Sequence, residues 1–190
     1  KARKGKSNQY GVQIFDKNKD EFISTLKNML INKTYSTSEY VTFKVFEPKE
    51  RIVFKLPYFP DRITHHAVMN VLEPLFTKWF TNDTYSSIKG KGIHNASNNL
   101  KKALQDQENT IYCLKLDIVK FYPNVDHEIL KKLLRQKIKD QDLLWLLDEI
   151  IDSSDGLPIG KSISKPMAGI YMHWFEKNYV FNEGSRFKDN

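Results

Sequence analysis

The segment "LKLDIVKFYPNVDHEIL" (residues 114–130) places one carboxylate, Asp117, among Leu114, Leu116, Ile118 and Val119, then adds Phe121 and Tyr122. Aspartate is a poor strand former, and a buried carboxylate without a partner is costly. Either Asp117 is a strand-end residue paired with a lysine, or it waits for a cation. Alternation over 111–119 predicts a strand with Leu114, Leu116 and Ile118 on a face that can bury against helices. Cys113, Lys115, Asp117 and Val119 share the other face, which can line a cleft. Pro123 ends the strand soon after Asp117, leaving the carboxylate near an open edge. A hard cation such as Mg²⁺ suits that position, because it takes one or two protein carboxylates and fills its shell with phosphate and water.

Outward from this stretch, the pattern is mixed helix and strand without the regular alternation of a doubly wound sheet. Phe22, Ile23, Leu26, Met29 and Leu30 predict an amphipathic helix over 17–32. "EYVTFKVFEPKERIVFKLPY" (39–58) predicts a hairpin with Pro48 near its turn. Asp61 is expected to open a helix burying Ile63, Ala67, Val71, Leu72 and Leu75, with Pro74 kinking or restarting it. Another helix runs through Ile93, Ala96, Leu100 and Leu104. Asp126 and Asp140 are expected to cap two more, carrying Leu130, Leu133 and Leu134, then Leu144, Leu147 and Ile151. "SSDGLPIG" (153–160) is a loop by its Gly and Pro, and a last helix starts at Ser164.

Composition narrows the class. A hydrophobic fraction of 40% with 13% aromatics describes a globular chain, not a disordered one. No apolar run reaches the roughly 20 residues of a membrane span, and no signal peptide opens the sequence. With Cys113 as the sole cysteine there is no internal disulfide, and a reducing, cytoplasmic compartment is expected. The initial lysine suggests a piece of something longer. The net charge of +7, with "KARKGK" at residues 1–6, favours polyanionic partners; a merely soluble basic surface is the plainer reading. His65 and His66 are neighbours on a helix and point about 100° apart, so a shared zinc is not expected.

Four blocks in order carry a resemblance: "ERIVFKLPYFPDRITHHAVMNVLEPLF" (50–76), "YSSIKGKGIHNASNNL" (85–100), "LKLDIVKFYPNVD" (114–126) and "GLPIGKSISK" (156–165). Together they resemble reverse transcriptases, most nearly the bacterial group II intron, retron and diversity-generating kinds, over roughly residues 35–180. The resemblance implies an α+β right-hand polymerase fold. Residues 1–90 and 125–160 would be fingers, 91–124 and 161–190 palm, and the thumb is absent. It implies Mg²⁺-dependent synthesis of DNA from dNTPs on an RNA template with a DNA primer. Asp117 would hold both metals with the Ile118 carbonyl, and Tyr122 would sit under the incoming sugar, blocking a 2′-hydroxyl.

Two metals about 4 Å apart need more than one aspartate. The family's paired aspartates are missing; Phe187-Lys188-Asp189-Asn190 resembles that turn, which makes Asp189 a candidate ligand unless the true turn follows residue 190. Ile159 replaces the glutamine beside Gly160, as in the diversity-generating subset, and Lys165 departs from the usual serine-proline. Both residues 159 and 160 would face the nascent base pair. Lys49 and Arg51 match cations that grip the triphosphate. Lys89, Gly90, Lys91 and Gly92 match a block along the template, where charge and bare backbone suit phosphates. An accessory RNA-binding protein follows only by analogy with diversity-generating systems. The rival reading is a nucleic-acid-binding module of the same fold without polymerase activity.

Overall fold

The computed structural model describes residues 2–47, 49–86, 88–158 and 162–180. Helices dominate, and the sheet present among the described residues is one two-stranded antiparallel hairpin, so the class is α+β. The elements in order are α1 (Tyr10–Lys17), α2 (Lys19–Ile31), β1 (Val41–Glu47), β2 (Lys49–Lys55), α3 (Ile63–Trp79), α4 (Ile93–Ala103), α5 (His127–Lys137), α6 (Gln141–Ile151) and α7 (Ser164–Phe175).

The core forms where α3, α5, α6 and α7 meet. Asp126 accepts a hydrogen bond from the Ile129 amide at 2.9 Å, and Asp140 does the same for Leu143 at 2.7 Å. Each carboxylate satisfies an amide that the first helical turn leaves unpaired, stabilising its helix by about 1 kcal/mol. Leucines at helical spacing then bury Leu130, Leu133 and Leu134 of α5 against Leu144, Leu147 and Ile151 of α6. Each such side chain contributes about 2 kcal/mol on removal from water. Met167, Ala168 and Ile170 bring α7 into the same core.

Three expectations change. The N-terminal helix is two helices, because the backbone breaks at Asn18 (φ −121°, ψ 37°), and α1 extends the helical region back to Tyr10. Asp61 does not open α3: it is fully buried in the turn Tyr58–Arg62, where its Oδ1 accepts from the Tyr35 hydroxyl at 2.9 Å and the Ser38 amide at 3.2 Å. Burial and then this carboxylate's charge raise the pKa of the Tyr35 phenol. Helix α3 runs unbroken through Pro74 and buries Thr64, His65, Val68, Met69, Leu72 and Phe76, leaving Val71 and Leu75 exposed. The buried face can carry Thr64 because its hydroxyl donates to the Pro60 carbonyl at 2.9 Å.

A smaller cluster lies beside the main core. Val12 and Phe15 of α1 pack on Tyr58, with Ala2, Phe22, Phe59 and Ile63 around them. The hairpin pairs Val45 with Arg51 and Phe43 with Val53; Pro48, expected near the turn, lies outside the described residues.

Candidate functional site

Residues 111–118 are irregular rather than a strand, and the whole stretch is exposed. The expected burial of Leu114, Leu116 and Ile118 is not found; they are 65%, 56% and 41% exposed. A strand is defined by its ladder, and among the described residues nothing pairs with this segment. The Asp117 carboxylate is exposed, and among the described residues no ion pair claims it. It and the Ile118 carbonyl are hard oxygen donors, which fit Mg²⁺ by type. Among the described residues no three His, Cys, Asp or Glu side chains converge.

The chain then turns sharply. Lys120 takes a left-handed backbone (φ 48°), and the Asn124 amide closes the turn on the Lys120 and Phe121 carbonyls at 3.3 and 3.0 Å. A non-glycine residue in that region is uncommon and marks a tightly specified turn. The turn Tyr122–Asn124 carries Pro123 and leads into the Asp126 cap.

Here two distant sequence blocks meet. The Leu157 amide donates to the Tyr122 carbonyl at 2.8 Å. Gly156 sits so close that a Cβ would lie 2.5 Å from the Tyr122 carbonyl oxygen and 2.6 Å from that of Pro123, and its φ is +62°. Only glycine suits both demands. His127 braces the junction: its Nε2 is 3.0 Å from the Gly156 carbonyl and its Nδ1 3.3 Å from the Asp152 carboxylate.

Tyr122 is half-buried, its ring edge-on to Phe121 at 5.7 Å, and burial raises its phenol pKa. Both rings line a cleft of ≈ 380 Å³ that also includes Phe80, Lys165, Gly169 and Glu176. Burial pushes the Glu176 carboxyl up, and burial followed by Lys177 and Lys137 pushes His173 down. Gly156 was not singled out by the sequence, nor, apart from Lys165, was the cleft's far wall. Gly156 is visible there only as a turn residue, and α7's contribution depends on how that helix packs.

Other candidates lie apart from this junction. Arg51 is exposed on β2 opposite Val45; the Lys49 backbone pairs with Glu47, while its side chain is outside the described residues. Gly90 needs its glycine for a φ of +81°. Lys91 is engaged, donating to the Asn82 carbonyl at 2.6 Å and lying 5.6 Å from the Tyr85 ring centre, whereas Lys89 is exposed. Gly92 is extended and starts α4, whose apolar residues Ile93 and Leu100 are exposed. Ile159, Gly160 and Asp189 lie outside the described residues. Among the described residues no helix is long and apolar enough to cross a membrane.

No family model matches the chain. It is 25% identical over 135 residues to "Protein YkfC" of Escherichia coli, a match covering 64% of this chain and 35% of that protein. It is 24% identical over 133 residues to the "Group II intron-encoded protein LtrA" of Lactococcus lactis, covering 64% of this chain and 22% of that one. "Nuclear intron maturase 1, mitochondrial" of Arabidopsis thaliana matches at 22% identity over 109 residues, 57% of this chain and 15% of the relative. The match thus spans about a third of the first of these proteins and less than a quarter of the other two. Its similarity is distant and lies with intron maturases and group II intron-encoded proteins.

Proposed function

We propose that this chain is the fingers and part of the palm of an RNA-directed DNA polymerase, within a right-hand polymerase fold. The observation that carries the reading is the junction of the Asp117–Tyr122 block with the Gly156–Leu157 block through the Leu157–Tyr122 hydrogen bond. In such an enzyme these blocks must share one site, and a chance likeness of short motifs gives no reason for them to touch. The distant similarity to intron-encoded proteins supports the same reading.

Asp117, the Ile118 carbonyl and Asp189 would hold Mg²⁺. Bound there, the metal would activate a primer 3′-oxygen and neutralise the leaving pyrophosphate. Lys49 and Arg51 would grip the triphosphate, and Ile159 with Gly160 would border the new base pair. Exposed Lys89 would meet template phosphates, with the Gly90–Gly92 backbone close by. The deciding experiment is primer extension by the full-length protein on an RNA template with dNTPs and Mg²⁺. Template-dependent extension supports the polymerase. RNA binding without extension favours a nucleic-acid-binding module.

Tyr122 supplies the selectivity test. Its ring is held by Phe121 and by the Leu157 bond to its own carbonyl, neither of which uses the hydroxyl. Tyr122→Phe should therefore leave sugar choice unchanged. Tyr122→Ala opens the space that a 2′-oxygen would fill, and should lower the preference for dNTP over rNTP by about 10²-fold. The ratio of the two kcat/KM values in each variant checks this. An unmoved ratio in Tyr122→Ala makes the ring a packing residue.

A further inference from the structure

The segment 35–40, which feeds β1, is pinned on two sides. Toward the turn Tyr58–Arg62, the Tyr35 hydroxyl and the Ser38 amide both donate to Asp61 Oδ1, at 2.9 and 3.2 Å. Toward α6, the Thr37 amide donates to Glu149 Oε1 at 3.3 Å, and the Tyr40 hydroxyl meets Ser153 Oγ. Ser153 spends its own proton on the Ile150 carbonyl at 2.7 Å, so Tyr40 is the donor and Ser153 the acceptor. The Tyr40 ring stands edge-on to Phe54 of β2 at 5.7 Å. One side chain thus holds the root of the hairpin with its ring and the end of α6 with its hydroxyl.

The residues around Ser153 lead directly to the Tyr122 turn. Asp152, just before it, pairs with Lys131 at 2.7 Å and lies 3.3 Å from His127 Nδ1. Leu157 follows Ser153 by only four positions, and its amide donates to the Tyr122 carbonyl. Between them, Gly156 leaves no room for a Cβ against Tyr122 and Pro123, and its carbonyl faces His127 Nε2. A segment this short, held at both ends and packed along its length, has little slack. Close-packed elements of this kind pass a displacement on rather than absorbing it.

We propose that Tyr40 is a positioning residue for Tyr122, acting through Ser153 and the loop 152–157, so that the hairpin and the Tyr122 turn share one conformational equilibrium. Whatever displaces the hairpin then also reseats the Tyr122 ring. By linkage, whatever fills the Tyr122 cleft steadies the hairpin. The functional consequence, a sugar-selecting ring whose seat depends on the hairpin, rests on the polymerase reading; the link itself does not.

The test is hydrogen exchange at single-residue resolution in the full-length protein, with the Leu157 amide as reporter. Tyr40→Phe keeps the ring on Phe54 and loses only the hydroxyl. It should speed exchange at Leu157 about fivefold, while amides in the middle of α5 and α6 change less than about twofold. Ser153→Ala cuts the same contact from the other side, so the double variant should exchange no faster at Leu157 than Ser153→Ala alone. An unmoved Leu157 amide in Tyr40→Phe overturns the proposal. So does an acceleration that the mid-helix amides share equally, which marks a general loss of stability, and so do additive effects of the two substitutions. Primer extension on the same preparations keeps the two claims apart: its absence defeats the polymerase reading, and the exchange result still decides the link.

Discussion

Asp117→Asn should abolish primer extension by the full-length protein while leaving its folding intact. The carboxylate is exposed, and among the described residues no ion pair engages it, so the change should alter stability by no more than about 0.5 kcal/mol. Asparagine keeps the shape and one oxygen but removes the charge that a divalent ion needs. A shared ligand lost from a two-metal site should cost about 10³-fold or more in kcat. Circular dichroism melting and single-turnover extension on the same preparations separate the two effects. Normal extension by a well-folded variant would remove Asp117 from the chemistry and leave it a surface aspartate.

The largest effect on stability should come from a single methyl group. Gly156→Ala must place a Cβ 2.5 to 2.7 Å from three backbone atoms of Tyr122 and Pro123, in a left-handed conformation. Backbone atoms cannot swing aside as a side-chain tip can. Relief requires breaking the Leu157–Tyr122 hydrogen bond or displacing the turn. Strain and lost packing together should cost about 3 to 5 kcal/mol, a large share of the 5 to 15 kcal/mol that a typical domain has. Gly90→Ala is the natural control. It shares a positive φ, yet a Cβ there has open space around it, so only the conformational cost of about 1 kcal/mol remains. Denaturant melts of the two variants should differ several-fold in the stability lost.

What the sequence made legible was local. The caps at Asp126 and Asp140, the leucine faces of α5 and α6 and the hairpin need only nearby residues to be recognised. The face of α3 was misjudged because periodicity counts apolar residues, and this helix buries Thr64 and His65 in their place. The hydroxyl of Thr64 is satisfied by a carbonyl from the preceding turn, which hydrophobicity cannot register. The strand at 111–119 has the right residues but no ladder among the described ones, and a strand is a property of two segments. At the junction, Tyr122, Leu157 and Pro158 lie in blocks that the sequence marked by motif, whereas the role of Gly156, the contact between the blocks and the bracing by His127 arise from tertiary packing.

The uncovered 111–119 segment also holds the chain's only cysteine. Cys113 is exposed four residues before Asp117, so a single maleimide dye attaches at one known place without any engineered mutation. Its alkylation rate becomes a clock for coverage. Whatever lies down along this backbone, a further strand or a nucleic-acid duplex, must slow the thiol's reaction in proportion to the time it stays. The protein thus carries its own reporter of when the Asp117 segment acquires a partner.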